Sequence, residues 1–380
     1  MSKKKILVFI DWYLPGYKAG GPIQSVANLV AHFKDEFDFS IITRDTDYCE
    51  ELPYSTIKSN EWNILPNGIK VYYFSKDNLT RSNIRSLIRQ TEFDIVYLNG
   101  MYSLYFTLIP LLFLRKKKNK QVVVASRGML SKGSLRVKKT KKQFFITVVK
   151  IVRLFDNVIF HATTEVEKSE IISVFGDDST IKVAANLPQL SNITSLPIRK
   201  KSDASVRLVN IARIAPEKNL VFALKILKSV KAEVVFDFYG PIYNQEYWNE
   251  CKLILDELPK NVKAQYKGSI ESDKVLDVLN SYHFMLMPTT GENFGHIILQ
   301  SLSVGCPVII SDLTPWKQLQ EKNAGWEIPL NRLDKYAEVV DFTARMDQSK
   351  YDSMLKAAFG HAQQYINDPK IKEENRSLFM

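Results

Sequence analysis

The chain has 380 residues, of which 45% are apolar and 24% charged, so it can bury a sizeable core and is not expected to be disordered. This length predicts two domains. The three cysteines, Cys49, Cys251 and Cys306, are far apart and form no CxxC or Cys/His cluster, which argues against a metal site and favours free thiols in a reducing compartment.

The net charge of +11 comes from one part of the chain. Residues 95–155 contain no Asp or Glu and 14 Lys or Arg. Subtracting these 14 from the 52 basic residues leaves 38 against 41 acidic ones, so the rest of the chain is slightly acidic. A positive field of this local kind predicts an anionic partner.

Two apolar runs could be mistaken for membrane segments, but neither is long enough to be one. The first covers residues 6–10 and ends at Asp11, too short for a signal peptide. The second, residues 104–114, contains Pro110, and a spanning helix needs about 20 apolar residues. We expect a cytoplasmic protein that contacts a membrane only peripherally, on the inner face.

Short apolar runs alternate with helical patterns along the first half of the chain. The predicted strands are residues 4–11, 39–44, 94–99, 121–126, 158–161 and 180–185. The predicted helices are residues 22–34, a segment that ends at 114, and a basic amphipathic helix over 138–154. A largely polar stretch with two prolines, residues 187–205, then predicts a linker over residues 189–205.

The same rhythm restarts after the linker. The predicted strands are residues 206–212, 234–239, 262–267, 284–287 and 308–311. The predicted helices are residues 219–230, 272–282, 294–304 and 351–366. Because the strands are continuous apolar runs, they predict α/β domains with parallel sheets covered on both faces, and ligands would bind beyond the carboxyl ends of the strands.

Three motifs follow predicted strands. Gly20-Gly21-Pro22 is either a phosphate-binding helix start or an ordinary turn. Arg213 and Lys218 lie five residues apart, a spacing that lets both cations converge on a diphosphate. Glu292 precedes a helix, where it either caps that helix or binds sugar hydroxyls, and Gln300 lies about 12 Å further along the helix axis.

Together these motifs resemble the retaining glycosyltransferases of family four, the group 1 glycosyl transferases. The resemblance covers nearly the whole chain and is most specific in its second half. The residues that carry it are Arg213, Lys218, Gly240-Pro241, Gly268 and the segment from Glu292 through Gln300 to Gly305-Cys306-Pro307.

The resemblance implies the GT-B fold: two apposed Rossmann-like domains with parallel sheets and an interdomain cleft. Residues 1–188 would form the acceptor-side domain, 189–205 the linker and 206–366 the nucleotide-sugar-binding domain, and the tail at 367–380 would pack back on the first domain. The implied reaction transfers a hexose-type sugar from a nucleotide-diphosphate sugar to a lipid-linked or cell-envelope glycan with retention, as in lipopolysaccharide or capsule polysaccharide biosynthesis.

The resemblance also assigns roles to residues. Arg213 and Lys218 would neutralise the departing diphosphate, Glu292 would bind the donor sugar, and no metal or other cofactor would be needed. Further donor-binding residues would be Gly20, Gly21, Gly240, Lys267, Gly268, Ile270, Asn293, Phe294, Gly295 and Gln300. Gln300 replaces the second glutamate of the family's E-x7-E signature, and its amide can still pair with ribose hydroxyls.

On the acceptor side the resemblance points to Asn99, Arg127, His161 and Glu165. Asn99 stands where the family often has a histidine, and an amide cannot shuttle protons at neutral pH. Arg127 would bind acceptor phosphate or support the leaving group, or is one more surface cation. His161 is either a packed imidazole or part of the site, and Glu165 either lines the cleft or begins a helix.

The basic segment, residues 115–153, combines cations with an apolar run at 144–149. This composition favours an anionic membrane surface as partner, with a solvated basic face as the alternative. Nucleic acid is not expected, because the segment has no recognisable binding motif and no interleaved aromatics. Two alternatives to sugar transfer stay open: a catalytically inactive membrane-peripheral GT-B scaffold and a nucleotide-sugar epimerase of the same fold.

Overall fold

The structure is a computed structural model that describes residues 3–115, 117, 119–131, 139–190, 196 and 198–380. It divides into two compact units. The first consists of residues 1–190 and 368–380, and the second of residues 191–367. Each unit is built on one mainly parallel β-sheet, which confirms the predicted α/β class.

The described strands of the first unit form one sheet. They are β1 (Lys5–Phe9), β2 (Asp38–Arg44), β3 (Trp62–Ile64), β4 (Lys70–Phe74), β5 (Ile95–Asn99), β6 (Gln121–Ala125), β7 (Ile159–Ala162) and β8 (Ile181–Val183). Their order is β3-β4-β2-β1-β5-β6-β7-β8, and only the β3–β4 pair is antiparallel. Strands β1 and β5 lie in the middle and are almost entirely buried, which explains their continuous apolar sequences.

Helices connect these strands. They are α1 (Gly21–Phe33), α2 (Arg81–Gln90), α3 (Ile109–Leu114), α4 (Lys139–Ile151) and α5 (Glu165–Phe175). A π-helical turn, Leu104–Leu108, directly precedes α3. Residues 132–138 of the predicted basic segment, together with Lys116 and Lys118, lie outside the described residues.

The second unit repeats the βα pattern. Its described strands are β9 (Ser205–Ile211), β10 (Glu233–Tyr239), β11 (Val262–Tyr266), β12 (Phe284–Met287), β13 (Val308–Ser311) and β14 (Gly325–Ile328). They pair parallel in the order β11-β10-β9-β12-β13-β14. Its described helices are α6 (Leu220–Leu227), α7 (Gln245–Asp256), α8 (Val275–Leu279), α9 (His296–Ser303), α10 (Leu333–Ala344) and α11 (Gln348–Ile366). Two 3-10 turns, Pro216–Lys218 and Ser272–Lys274, precede α6 and α8.

The carboxyl-terminal tail belongs to the first unit. Helix α12 (Pro369–Ser377) brings Phe379 into the first unit, where its ring is fully buried against Phe37, Phe39 and Tyr97. Arg376 also forms an ion pair with Glu36 at 2.7 Å. The chain therefore starts and ends in the same unit.

Several elements were not predicted from the sequence: β3, β4, α2, α7, β14 and α10. The edge strand β3 and its neighbour β4 do not contain the fully buried apolar runs that identify central strands, since exposed or half-buried residues occur in both. The predicted linker is also less exposed than its composition suggests. Arg199 and Lys201 are buried and donate to backbone carbonyls of the second unit, including Gly305 O at 2.6 Å and Ala344 O at 2.8 Å.

Candidate functional site

Two loops of the second unit, which follow β9 and β12, are joined to each other. Glu217 in the first loop accepts hydrogen bonds at its backbone oxygen from the Thr290 amide and the Thr289 hydroxyl, both at 3.0 Å. Asn219, held in the left-handed conformation with φ 59°, donates from its side-chain amide to Pro288 O at 2.9 Å. Adjacent parallel strands place their carboxyl ends at one edge, so these bonds fix the two loops as one surface.

Lys218 and Glu292 form an ion pair across these loops. Lys218 Nζ lies 2.5 Å from Glu292 Oε1, and the two side chains are only 18% and 11% exposed. The sequence analysis gave them separate partners, a diphosphate and a sugar. The structure brings the two residues into direct contact, although 74 residues separate them in the chain.

Arg213 lies on the same loop after β9 as Lys218. Its guanidinium is 3.2 Å from Glu217 Oε1 and 5.0 Å from the centre of the Tyr243 ring, in cation–π geometry. The side chain stays partly exposed. Both predicted cations are therefore at the carboxyl end of the sheet, and each has a carboxylate partner.

The start of α9 completes this surface. Gly295 precedes the helix with φ 79°, a conformation that glycine adopts without steric cost. The Trp316 indole donates to Phe294 O at 2.7 Å, which holds the loop that leads into the helix. Neither the Phe294 amide nor the Gly295 amide donates to another described residue. Free amides at a helix start attract anions.

Gly240 allows the ends of β9 and β10 to approach closely. Its φ is 142°, and a Cβ at this position would lie 1.9 Å from Ala212 O. Its amide donates to Gly268 O at 2.9 Å, so both predicted glycines belong to the same edge. Lys267 points elsewhere: its amine donates to Gln265 Oε1 at 2.7 Å and lies 3.8 Å from Asp237.

Two more predicted donor-binding residues are half-buried. Ile270 packs against the apolar cluster that contains Phe294 and Ile298. Gln300 lies within α9, and its backbone oxygen accepts a hydrogen bond from Ser303 Oγ at 2.8 Å. Asn293 lies in the loop between Glu292 and α9. Asn293 therefore precedes α9, Gln300 lies in its second half, and Ile270 packs against the apolar cluster to which the helix belongs.

In the first unit, Arg127 is the centre of a hydrogen-bonded network. It follows β6 with φ 51°, an uncommon conformation for a residue with a side chain. Its guanidinium donates to Asn99 Oδ1 at 2.7 Å, Asn186 Oδ1 at 2.7 Å and Tyr97 Oη at 2.8 Å. All three acceptors are neutral, and Arg127 has no ion pair with any other described residue.

His161 is enclosed behind this network. It is 2% exposed, and its Nε2 lies 2.8 Å from Ala184 O, which can only accept, so Nε2 carries the proton. Tyr97 then donates to Nδ1 at 2.8 Å. Burial and the Arg127 charge lower the pKa of His161 to about 4. Both ring nitrogens are thus engaged within the protein, which supports the packed-imidazole alternative for His161.

Glu165 and Glu167 lie in the same helix, α5, but differ in burial and in their partners. Glu165 is exposed and pairs with Lys168 at 3.3 Å on the surface of α5, so the structure supports its helix-opening role. Glu167, which the sequence analysis missed, is buried. It accepts hydrogen bonds from Ser126 Oγ, the Gly128 amide and Thr163, at 2.5 to 2.6 Å.

Glu167 orients the loop that carries Arg127. Burial would raise the pKa of this carboxyl, but the hydrogen bonds from Ser126 and Thr163 outweigh burial and hold the pKa below its ordinary value. A sequence signal for it exists. Thr164 and Glu167 form the T-x-x-E pattern of a capping box, and Thr164 Oγ1 does accept from the Glu167 amide at 3.1 Å.

A second cluster that the sequence analysis missed follows β1 and β2. Asp11 accepts from Ser103 Oγ at 2.9 Å and lies 3.5 Å from Arg44 Nη2. The Arg44 guanidinium is over the Trp12 and Phe106 rings, at 5.7 and 5.2 Å from their centres. Burial raises the pKa of Asp11, although Ser103 and Arg44 oppose it. Its sequence signal is a charged residue at or near the carboxyl end of each of two neighbouring strands: Arg44 ends β2, and Asp11 lies two residues beyond β1.

The predicted helix start at Gly20 and Gly21 is open. Gly20 caps α1 with φ 72°, and a Cβ there would meet no atom within 4 Å. The Gly20 oxygen accepts from the amides of Ile23 and Gln24. The helix therefore begins with exposed backbone, as the phosphate-binding interpretation requires.

Comparison with known proteins gives two findings. Residues 195–358 match the family model described as glycosyl transferases group 1. The structure of Anabaena HepE in complex with UDP-glucose shares the architecture with a TM-score of 0.71 at 16% identity, over 99% of this chain and 98% of that chain. The chain has the GT-B fold.

Other GT-B structures agree. Sucrose-phosphate synthase from Thermosynechococcus elongatus matches with a TM-score of 0.74 at 12% identity, over 100% of this chain and 98% of that chain. S. aureus TarM, in complex with fondaparinux, alpha-GlcNAc-glycerol and UDP, matches with a TM-score of 0.71 at 13% identity, over 99% of each chain. No curated protein matches the chain in sequence.

The group 1 match covers the main predicted donor-side residues but not the predicted acceptor-side ones. It includes Arg213, Lys218 and Glu292, whereas Asn99 and Arg127 lie outside it. Within the described part of this GT-B chain, no three His, Cys, Asp or Glu residues are grouped so that they could hold a metal ion. No described helix has both the length and the apolar character needed to cross a membrane.

Proposed function

We propose that this GT-B chain transfers a hexose-type sugar from a nucleotide-diphosphate sugar to a lipid-linked or cell-envelope glycan, with retention of the anomeric configuration. The group 1 match in the second unit supports sugar transfer. The UDP-glucose and UDP bound to HepE and TarM support a nucleoside diphosphate as the leaving group. The observation that carries the proposal is the Lys218–Glu292 pair across the loops after β9 and β12, with Arg213 on the same loop as Lys218.

The proposed donor site works through an exchange of partners. In the free protein, Lys218 is neutralised by Glu292 and Arg213 by Glu217. When the donor binds, both cations turn to the diphosphate, whose charge increases as the bond to the sugar breaks. Glu292 is then released to accept hydrogen bonds from the sugar hydroxyls. Positioned cations stabilise such charge more strongly in a water-poor site than in bulk water.

This arrangement supplies the positive charge that a divalent cation would otherwise supply. Arg213 and Lys218 together offset the one charge that each phosphate already carries and stabilise the single additional negative charge that develops as the diphosphate departs. The free amides of Phe294 and Gly295 add partial positive charge from the α9 start. We therefore propose a reaction that needs no metal or other cofactor.

Arg127 is proposed to bind an anionic group of the acceptor, such as the phosphate of a lipid-linked glycan. Its guanidinium has neutral acceptors only, so its charge is not cancelled by any described carboxylate. Glu167 and Asn99 would act as positioning residues that hold the Arg127 loop and side chain. Arginine is well suited to phosphate, because it can donate two parallel hydrogen bonds.

The test is incubation of the full chain with a panel of nucleotide sugars, with and without membrane extract, while released nucleotide is measured. We expect release with one donor, and the label of that donor should appear on lipid or polymer. Arg213→Ala/Lys218→Ala should abolish release. The matched control Lys225→Ala/Lys252→Ala, which removes two exposed cations from α6 and α7 of the same unit, should not.

Three outcomes contradict the proposal. Absence of nucleotide release with every donor would indicate the inactive scaffold. Recovery of the sugar as its epimer, without label on an acceptor, would indicate the epimerase. A product whose anomeric proton shows the opposite configuration to the donor would refute retention while leaving sugar transfer intact.

A further inference from the structure

The outward face of α4 is apolar, where a surface helix normally has polar side chains. Phe144 and Ile151 are 71% and 75% exposed, and Val148 is 38% exposed. Their spacing of four and three residues places them on one side of the helix. Val152, directly after the helix, is 42% exposed. We call these four residues the outer stripe.

Helix α4 is held with its other face inward. That face packs against the apolar core of the first unit through Phe145, Ile146 and Val149. The Phe145 ring also meets the Tyr102 ring at 4.9 Å, and Lys142 Nζ lies 5.4 Å from the centre of that ring. A rotation that buried the outer stripe would expose this inner face instead. The stripe therefore needs a partner outside the first unit's core.

Exposed apolar residues are concentrated here. The described chain has sixteen exposed large apolar side chains, and the four of the outer stripe fall within nine consecutive residues. Singly exposed apolar residues need no explanation, but a grouped set marks a contact surface.

The charges around the outer stripe identify the partner. Lys141 and Lys150 on α4 are exposed, and Arg153 after the helix is exposed but pairs with Asp156, the first acidic residue after Asp94. A second copy of this chain would bring the same 14 cations against these and would be repelled. Nucleic acid would use the cations but not the exposed aliphatic side chains of Val148, Ile151 and Val152 beside them.

We propose that α4 docks on the surface of an anionic lipid bilayer. The outer stripe enters the boundary between headgroups and acyl chains, while the flanking lysines contact lipid phosphates. Helices that lie in a membrane interface have this combination of an apolar face and basic flanks. The docking does not depend on sugar transfer, and it can be measured without any donor.

The test is sedimentation of the full chain with phosphatidylcholine vesicles, with and without phosphatidylglycerol. We expect binding to the anionic vesicles only. Phe144→Ser/Ile151→Ser should weaken that binding about tenfold or more, because two large apolar groups no longer enter the bilayer. Lys141→Gln/Lys150→Gln should weaken it about tenfold as well and reduce its salt dependence.

Matched controls separate the stripe from general surface effects. Leu253→Ser/Val166→Ser removes two exposed apolar residues from α7 and α5, and Lys225→Gln/Lys252→Gln removes two exposed cations from the second unit. Neither control should change vesicle binding. Because all these side chains are exposed, every variant should keep the thermal unfolding midpoint of the wild type.

Insertion has a direct spectroscopic signature. In Phe144→Trp, lipids brominated on the acyl chain should quench fluorescence beyond the quenching of the five native tryptophans. Three results would overturn the proposal: unchanged vesicle binding by the stripe variant, no additional quenching, or a wild-type dimer that Phe144→Ser/Ile151→Ser converts to monomer. Binding of RNA that competes away the vesicles and survives the stripe variant would assign the cations to nucleic acid instead.

Discussion

The two units of this GT-B chain hold their cations in different ways. In the second unit, Lys218 and Arg213 each contact a carboxylate, at 2.5 and 3.2 Å. In the first unit, the Arg127 guanidinium contacts only the amide oxygens of Asn99 and Asn186 and the hydroxyl of Tyr97. The first arrangement cancels charge within the protein, and the second orients charge without cancelling it.

This difference has physical consequences. A paired cation is held in place before a ligand arrives, but it must exchange its carboxylate for the ligand. A cation without an ion-pair partner also acts on its neighbours: after burial, the Arg127 charge is the second cause of the low pKa of His161, although the Glu167 charge opposes it. We infer that the second unit is adapted to a charge that develops during a reaction, and that Arg127 is adapted to an anion present from the start.

The largest expected effect separates the two kinds of cation by reaction step. Arg127→Met should lower transfer to the acceptor about 100- to 1000-fold and leave nucleotide release without acceptor nearly unchanged. Lys218→Met should lower both rates. The measurements are labelled-sugar transfer and nucleotide release on the same preparations. Arg127→Lys, which keeps the charge but not the bidentate geometry, should fall between wild type and Arg127→Met. If Arg127→Met lowered both sugar transfer and nucleotide release as much as Lys218→Met does, the two kinds of cation would not act at different reaction steps.

The next prediction concerns the pH dependence of stability that results from burial of His161 near the Arg127 charge. The pKa of His161, about 4 in the folded protein, lies below its ordinary 6.5, so the unfolded chain binds more protons between these values. Stability is therefore complete above pH 6.5 and falls as the pH drops toward 4, by about 2 kcal/mol between pH 7 and pH 5. Glu167, whose pKa is also lowered, contributes its loss only below its ordinary value of 4.5.

Urea unfolding at these two pH values measures this effect. His161→Gln should remove most of the pH dependence, because glutamine can still donate to Ala184 O and does not titrate. Arg127→Met should weaken the dependence, since its charge no longer opposes protonation of the ring. A dependence that is unchanged in His161→Gln would show that another group causes it.

A smaller effect tests whether the Lys218–Glu292 pair orders its loops. Glu292→Ala leaves Lys218 mostly buried without its partner and should cost about 1–2 kcal/mol of unfolding free energy, less than for a fully buried pair. Lys218→Met/Glu292→Ala should recover part of that loss. The exposed pair Arg332–Asp334 is the control, and Asp334→Ala should cost under about 0.5 kcal/mol. If Glu292→Ala and Asp334→Ala cost the same unfolding free energy, the Lys218–Glu292 pair does not order the loops.

The last prediction is that removal of metal ions does not change the reaction rate. Because Arg213 and Lys218 supply the charge at the proposed donor site, EDTA should leave the rate of nucleotide release unchanged. The measurement is the rate before and after dialysis against the chelator, with added magnesium as the second arm. Loss of activity that magnesium restores would mean that the paired cations of the second unit are insufficient on their own.

Much of the fold was predictable because local sequence patterns indicate its strands and helices. The continuous apolar runs identified β1, β5, β12 and β13, since each of these strands is buried on both faces. The same rule missed β3 and β4, whose position toward the sheet edge mixes exposed and buried residues. The position after a strand also pointed correctly to the loops that contain Arg213 and Glu292.

The sequence by itself determined the α/β class, the two parallel sheets, the loops that carry the candidate residues and the concentration of positive charge in residues 95–155. Only the tertiary structure decided which groups meet: Lys218 with Glu292, Arg127 with Asn99, and His161 closed off behind Tyr97. The physical reason is range. Strand and helix patterns come from neighbours a few residues apart, whereas these contacts join residues 28 to 74 positions apart, and their pairing depends on how the sheets bring distant loops to one edge.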